Sequence, residues 1–165
     1  MIERQAPVLA GIGLGANLGD ARATLDAAIQ ALESLPESTL RAVSSIYRSA
    51  PVDSSGPDYL NAVALLDTRL APQALLAELQ RIELAHGRER PYYNAPRTLD
   101  LDLLFYGDQR VDVPGLTVPH PRLHERAFVL RPLAELVPGL TIPGHGAVAE
   151  LLVAVADQRV DKLAR

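Results

Sequence analysis

The residues best suited to chemistry lie in Arg97-Thr98-Leu99-Asp100-Leu101-Asp102-Leu103-Leu104-Phe105. Side chains alternate across a strand, so Asp100 and Asp102 would share one face, and Leu99, Leu101, Leu103 and Phe105 the other. That spacing sets two carboxylates roughly 6–7 Å apart on a strand otherwise made for the interior. Like charges held this way repel, and their partial burial costs free energy unless a cation offsets it. Carboxylate oxygens are the usual ligands of Mg²⁺, which completes its shell with water and substrate phosphates. Two ions at such a pair could bridge a polyphosphate. An isolated D-x-D also reads as the solvated face of an amphipathic strand. Neighbouring positive charge weighs against that: Arg81, Arg88, Arg90 and Arg97 precede the pair, and Arg126 follows near His120. Each alone could be a surface arginine. As a group they suit phosphate, whose oxygens match the guanidinium fork.

Other chemistries find less support. His86, His120, His124 and His145 show no zinc spacing, and Pro119 and Pro121 argue against a helix through His120 and His124. Ser44, Ser45 and Ser49 form no nucleophile elbow. Gly11-Ile12-Gly13-Leu14-Gly15-Ala16 fits the G-x-G-x-x-A pattern of a dinucleotide turn, the basis for an NAD(P)-dependent oxidoreductase as a weaker alternative. No strand ending in an acid follows at the required distance. A Walker lysine motif is absent, since the lone lysine is Lys162. Tyr59 and Asn61 sit at i and i+2, a ring beside an amide, which could receive a flat heterocycle by stacking and hydrogen bonding. A tyrosine so placed also serves ordinary packing.

The elements that must carry these residues follow from periodicity. Val8–Leu14 reads as a buried strand and Ala21–Leu35 as a helix with Leu25, Ala28, Ile29 and Leu32 on one face. Leu40–Ser49 and Tyr59–Leu70 read as strands, separated by a loop over Ala50–Pro57. Pro72 suits the first turn of a second helix, with Leu75, Leu76, Leu79 and Ile82 as its stripe. The Arg-rich Gly87–Pro96 is expected to be a mobile surface loop, and Thr98–Tyr106 a strand. Strand, helix, strand, strand, helix, strand is the order of an α+β, ferredoxin-like antiparallel sheet with flanking helices. Extra short elements are expected toward the C-terminal end.

Composition sets the outer bounds. One domain over residues 1–165 is expected, and 48% apolar content suffices for a core. With no Trp and two Phe, that core must be aliphatic. A net charge of −4 argues against a nucleic-acid partner. The lack of Cys excludes disulfides, thiolate metal sites and a Cys nucleophile. The N-terminal MIERQAPVLAGIGLG does not read as a signal peptide, and no stretch has the length of a membrane span. A cytoplasmic monomer acting on small molecules is expected.

Taken together, several segments resemble one family. They are Gly13-Leu14-Gly15-Ala16-Asn17, Ser44-Ser45-Ile46-Tyr47-Arg48, Pro57-Asp58-Tyr59-Leu60-Asn61-Ala62 and Gln80-Arg81-Ile82-Glu83. Pro96-Arg97-Thr98-Leu99-Asp100-Leu101-Asp102 and Val118-Pro119-His120-Pro121-Arg122-Leu123-His124-Glu125-Arg126-Ala127-Phe128 complete the set. From about Ile12 to Pro138 the chain resembles the 6-hydroxymethyl-7,8-dihydropterin pyrophosphokinases. The resemblance implies transfer of pyrophosphate from ATP to a hydroxymethyl dihydropterin in folate synthesis, on a ferredoxin-like fold. It implies two Mg²⁺ on Asp100 and Asp102, with Arg88 and Arg97 joining them in catalysis. Gln80, Glu83, Arg88, Arg97, His120 and Arg126 would bind ATP. The pterin would lie between Tyr59 and Phe128, with Asn61 on its polar edge and Ser49, Pro51 and Val52 contributing from the first loop. The chain departs from the family's pattern at Tyr92-Tyr93-Asn94-Ala95, where a basic residue and a glycine are common. It departs again at Ala50-Pro51, where two prolines are common. A non-catalytic binding module of the same fold is the alternative from another class; it would not need both aspartates.

Overall fold

The computed structural model describes residues 6–17, 20–50, 58–86 and 99–163. Strand β1 (Val8–Ala16) leads into helix α1 (Ala21–Glu33). The Asp20 carboxylate accepts the Ala23 N–H at 3.0 Å, satisfying an amide that a helix start leaves without a partner. There follow β2 (Ser38–Val43), β3 (Tyr47–Ser49), β4 (Tyr59–Thr68), α2 (Pro72–Ala85) and β5 (Asp100–Tyr106). Pro72 opens α2, where its missing N–H removes no helical bond. Beyond β5 come a hairpin of β6 (Val111–Val113) and β7 (Leu116–Val118), a single 3₁₀ turn (Leu123–Glu125) and helix α3 (Ala127–Leu136). A second hairpin, β8 (Thr141–Ile142) with β9 (Gly146–Ala147), precedes helix α4 (Val148–Ala154) and strand β10 (Val160–Lys162). No helix among the described residues is long and apolar enough to cross a membrane.

The main sheet runs β10-β3-β4-β1-β5, with β2 also on β4. Every pairing in it is antiparallel. One face carries α1 and α2, packed through Leu25, Leu32, Leu75, Leu79 and Ile82 onto Ala10, Ile12, Leu14, Leu101 and Leu103. The other face carries α3 and α4, through Leu130, Leu133 and Val148, against Val63, Leu65 and Phe105. The C-terminal elements anticipated only as short pieces thus form a complete third layer, and β10 extends the sheet.

Two expectations are corrected by bulges. The segment 40–49 is two strands, not one. Val43 faces Ala64 and Tyr47 faces Asn61, so four steps on one side oppose three on the other. Ser44 makes the break tenable: its N–H donates to the Val63 carbonyl and its hydroxyl accepts the Val63 N–H, both at 2.9 Å. In β5 the register shifts because Ile12 pairs with Leu103 and Gly11 with Phe105, which leaves Leu104 as the extra residue. Leu104 and Phe105 therefore both face the α3 layer, while Leu99, Leu101 and Leu103 face α2 as expected. Strict alternation would have put Phe105 with the leucines.

The glycine run is corrected too. Gly11, Gly13 and Gly15 lie inside β1 and not at a strand-to-helix turn, so they form no dinucleotide-binding loop. They point to the α3 face at every second residue, opposite the buried Ala10, Ile12, Leu14 and Ala16. A Cβ on Gly11 would lie 2.2 Å from the Phe105 ring, itself 1% exposed. Gly11→Ala is expected to lower unfolding stability by about 1–3 kcal/mol, the cost of forcing extra volume into a packed core. Urea denaturation measures this, and an unchanged midpoint would show that Phe105 can move aside.

Candidate active site

Two of these glycines, Gly13 and Gly15, leave room for a cleft of about 190 Å³ on the α3 side of the sheet. That is below the range typical of drug-sized ligands and suits one small ring system, with charged groups extending outward. Gly13 and Gly15 floor it. Asp102 lies opposite Gly13 and Asp100 opposite Gly15 in the β1–β5 ladder. Both aspartates line the cleft and are half-buried. With Leu101 turned into the opposite core, the strand presents two carboxylates to the cleft and apolar side chains to α2.

The strand carrying them is held from α2. Glu83 is 3% exposed, and its Oε2 accepts the Leu101 N–H at 2.8 Å. Leu101 separates the two aspartates, and β5 is the terminal strand of the sheet, so a side chain here satisfies an amide at the sheet edge. Glu83 does not line the cleft, and Gln80 is exposed on α2. Arg81 is engaged along its own helix, its Nη2 2.6 Å and Nε 3.0 Å from Glu78 Oε2.

Tyr59, Asn61 and Ser49 form a second wall. Asn61 is 4% exposed, and its Nδ2 donates to Ser49 Oγ at 2.8 Å and, at 3.5 Å, to the Tyr47 carbonyl. A carbonyl accepts only, which fixes the amide's orientation. Asn61 Oδ1 is then the end turned to Gly15, where a Cβ would sit 3.5 Å from it. An acceptor beside a tyrosine ring thus faces the cleft.

The third wall comes from the start of α3. Phe128 lines the cleft, and the Arg126 guanidinium, also in the lining, lies 5.5 Å from the centre of its ring. His120 stands just before this turn. Its N–H donates to the carbonyl of the bulged Leu104 at 2.8 Å, which brings the segment onto β5 beside the aspartates. Its Nδ1 accepts the Arg122 N–H at 3.1 Å, so the neutral ring carries its proton on Nε2 and can donate from there.

The anticipated residues therefore separate into three groups. Asp100, Asp102, Ser49, Tyr59, Asn61, Arg126 and Phe128 converge on one cleft. His120 is adjacent through β5, and Gln80 and Glu83 lie on α2 behind it. Pro51, Val52, Arg88, Arg90 and Arg97 lie outside the described residues, as do the loop over 50–57, apart from Ala50, and the Arg-rich loop over 87–96. Gly13 and Gly15 were not anticipated as part of the site. Their period of two within an apolar run was the available signal.

Burial lowers the His120 pKa from its ordinary 6.5, and the charges of Arg126 and Arg122 push the same way while Asp102 opposes them. The unfolded chain then takes up this proton first on acidification. Stability from this group is lost as pH falls through 6.5 toward the lower folded value. In metal-free protein, the NMR titration midpoint of His120 should lie below 6.5, and Asp102→Asn should lower it further. A midpoint at or above 6.5 would contradict this environment.

Comparison with known proteins identifies the family. The model of the 7,8-dihydro-6-hydroxymethylpterin-pyrophosphokinase family matches residues 11–138. A Pseudomonas aeruginosa relative named 2-amino-4-hydroxy-6-hydroxymethyldihydropteridine pyrophosphokinase is 47% identical over 153 residues, covering 92% of this chain and 94% of its own. One of the same name from Haemophilus influenzae is 42% identical over 157 residues, covering 94% and 98%. Among solved structures, an HPPK-DHPS in complex with substrates superposes with a TM-score of 0.76 at 12% identity, over 93% of this chain and 44% of that one. Plasmodium falciparum HPPK-DHPS with pteroate gives 0.74 at 12% identity, over 95% and 44%. The chain spans less than half of those two proteins, and at such identity the likeness is one of fold. With the family model matched from β1 through α3 and relatives matched over nearly the whole length, the chain belongs to the 7,8-dihydro-6-hydroxymethylpterin-pyrophosphokinase family.

Proposed function

We propose that the protein transfers the β,γ-diphosphate of ATP to the hydroxymethyl group of 6-hydroxymethyl-7,8-dihydropterin, yielding AMP and the pterin diphosphate in folate biosynthesis. The observation that carries this is the meeting of a carboxylate pair, an arginine and a ring-and-amide wall in one cleft. The pterin lies against Phe128 and Tyr59, with Asn61 Oδ1 accepting from its polar edge and Ser49 holding that amide in place. Pro51 and Val52 close the same end in this reading.

The donor set fits Mg²⁺. Asp100 and Asp102 offer hard oxygens on one face, and no group of three or more potential metal-ligating side chains exists among the described residues. The rest of each coordination shell is then left to water and phosphate oxygens, as Mg²⁺ favours. Asp100 and Asp102 would hold two Mg²⁺, whose charge would neutralise and align the triphosphate. The hydroxymethyl oxygen forms a bond to the β-phosphorus. The bond from that phosphorus to the α–β bridging oxygen breaks, and the oxygen leaves on AMP. The hydroxyl proton is released. Arg126, with Arg88 and Arg97, stabilises charge on the phosphates, and His120 donates from Nε2. Gln80 and Glu83 complete the nucleotide side, Glu83 by holding β5. Positioning and charge do most of the work, because among the described residues none lining the cleft, apart from the two aspartates assigned to metal, is an evident general base.

Two measurements test this reading. Incubation with ATP, Mg²⁺ and the hydroxymethyl pterin should give AMP in step with a diphosphorylated pterin. ADP as the main nucleotide would mean ordinary kinase chemistry and refute it. Asp100→Ala and Asp102→Ala should each abolish turnover while leaving the metal-free protein folded, since each removes one of two repelling charges. Near-normal turnover in Asp102→Ala would remove the metal assignment.

A further inference from the structure

We propose that Glu135, which does not line the cleft, is a positioning residue that sets the gap between Phe128 and the Tyr59–Asn61 wall. The inference rests on the pterin-binding reading above. A flat ring held on both sides needs walls at a fixed separation, and these walls belong to different layers. Tyr59 and Asn61 are on β4 and Ser49 on β3, whereas Phe128 is on α3. The apolar contacts of α3 through Leu130 and Leu133 hold it on the sheet, but burial is non-directional and does not fix its tilt or register.

Directional contacts do. Glu135 Oε1 accepts the Tyr47 hydroxyl at 2.6 Å, and Oε2 accepts the Ser45 N–H at 2.9 Å and the Ser45 hydroxyl at 3.2 Å. Lys162 Nζ of β10 stands 3.9 Å from Oε1. Arg131, one turn earlier, places its guanidinium 5.6 Å from the centre of the Tyr47 ring and donates to the Val160 carbonyl at 3.2 Å. Polar contacts of α3 with β3 and β10 thus gather around Tyr47. Tyr47 pairs with Asn61 across β3 and β4, and Asn61 bonds Ser49. Burial and the Glu135 carboxylate push the Tyr47 hydroxyl up to about 12, so it stays protonated and donates.

Phe128 precedes Glu135 by seven residues, two turns of the same helix, roughly 10 Å along its axis. Both side chains point to one side. A change of tilt at Glu135 therefore moves the Phe128 ring, and Arg126 beside it, relative to Asn61, while the rest of the nucleotide side, built on β5 and the turn at His120, has other anchors in Glu83 and Leu104.

The test uses the full-length protein and measures the dissociation constant for hydroxymethyl pterin, KM for ATP and Tm. Turnover of the unmodified protein to AMP comes first; if it fails, the underlying functional reading falls and this proposal with it. Glu135→Ala and Tyr47→Phe should each weaken pterin binding on the order of tenfold, within what a small misplacement can cost, with a much smaller change in KM for ATP. Glu135→Gln should stay within about twofold, because its oxygen can still accept from Ser45 and its amide can meet the Tyr47 oxygen. Unchanged pterin affinity in both disruptive variants, whatever happens to Tm, would make Glu135 a structural clamp and overturn the proposal. Equal losses for pterin and ATP would overturn it as well, since they indicate a loosened fold. Should Glu135→Ala not fold, Tyr47→Phe gives the same decision, because it keeps the ring and removes only the hydroxyl.

Discussion

Excluded volume over β1 is the constraint on which the site depends. A central strand normally projects side chains to both faces, and two helical layers would then meet it everywhere. Here Gly11, Gly13 and Gly15 remove the side chains from one face only. Over Gly11 the space is filled by the Phe105 ring, so the third layer closes there. Over Gly15 the nearest side-chain atoms belong to Asn61 and Tyr59, at 3.5 and 3.8 Å from a would-be Cβ. The cleft begins where the packing over Gly11 and Gly13 gives way to residues that stand beside β1 and not on it. The bulge at Leu104 is part of the same arrangement. It turns Leu104 and Phe105 together onto the glycine face and leaves the Leu104 carbonyl for the His120 amide.

Charge is distributed by the same logic. The two carboxylates come from the rigid end strand, whose backbone between them is held by Glu83. The positive charge comes from the turn into α3, where Arg126 leans on Phe128. The aspartates of β5 and Arg126 before α3 come from different segments, so the chain must fold before these charges meet. His120 is placed between these influences, with burial and two arginines favouring its neutral form and Asp102 opposing. A neutral imidazole with its proton on Nε2 donates without adding positive charge beside Arg126 and Arg122.

What was legible in the sequence follows from how local each determinant is. Asp100-x-Asp102 within an apolar run required nothing beyond strand alternation, and the helices at 21–33 and 72–85 required only their apolar stripes. The order of strands and helices through β5 was readable for the same reason. Features that arise from pairing were not. The break at Ser44 depends on where β4 offers its N–H and carbonyl groups, and the reversal at Phe105 depends on the register against β1. The glycine run suggested a turn because its pattern ignores direction; only a partner on each side makes it a strand. Arg81 looked like part of a phosphate cluster until its helix placed Glu78 beside it. Glu135 carried no local signal, since its partners lie 88 and 90 residues away.

The placement of the walls also separates affinity from selectivity. Phe128 packs in part against the apolar layer of α3 and also faces the cleft, so a flat ring laid on it continues that layer outward. The gain, about 25 cal/mol per Å² of apolar surface covered, does not distinguish one heterocycle from another. Discrimination has to come from Asn61. Its Nδ2 is committed to Ser49, so in the proposed reading Oδ1 is the end that meets a donor on the ligand. A ring lacking that donor leaves a desolvated acceptor, at about 1–3 kcal/mol. In the proposed reading, affinity resides on α3, selectivity on β4 and phosphate chemistry on β5. Arg126, in contact with the ring wall and lining the same cleft as the aspartates, sits where the ring and phosphate regions join. In the proposed reading, a reacting group projecting from the ring edge would reach the phosphates there.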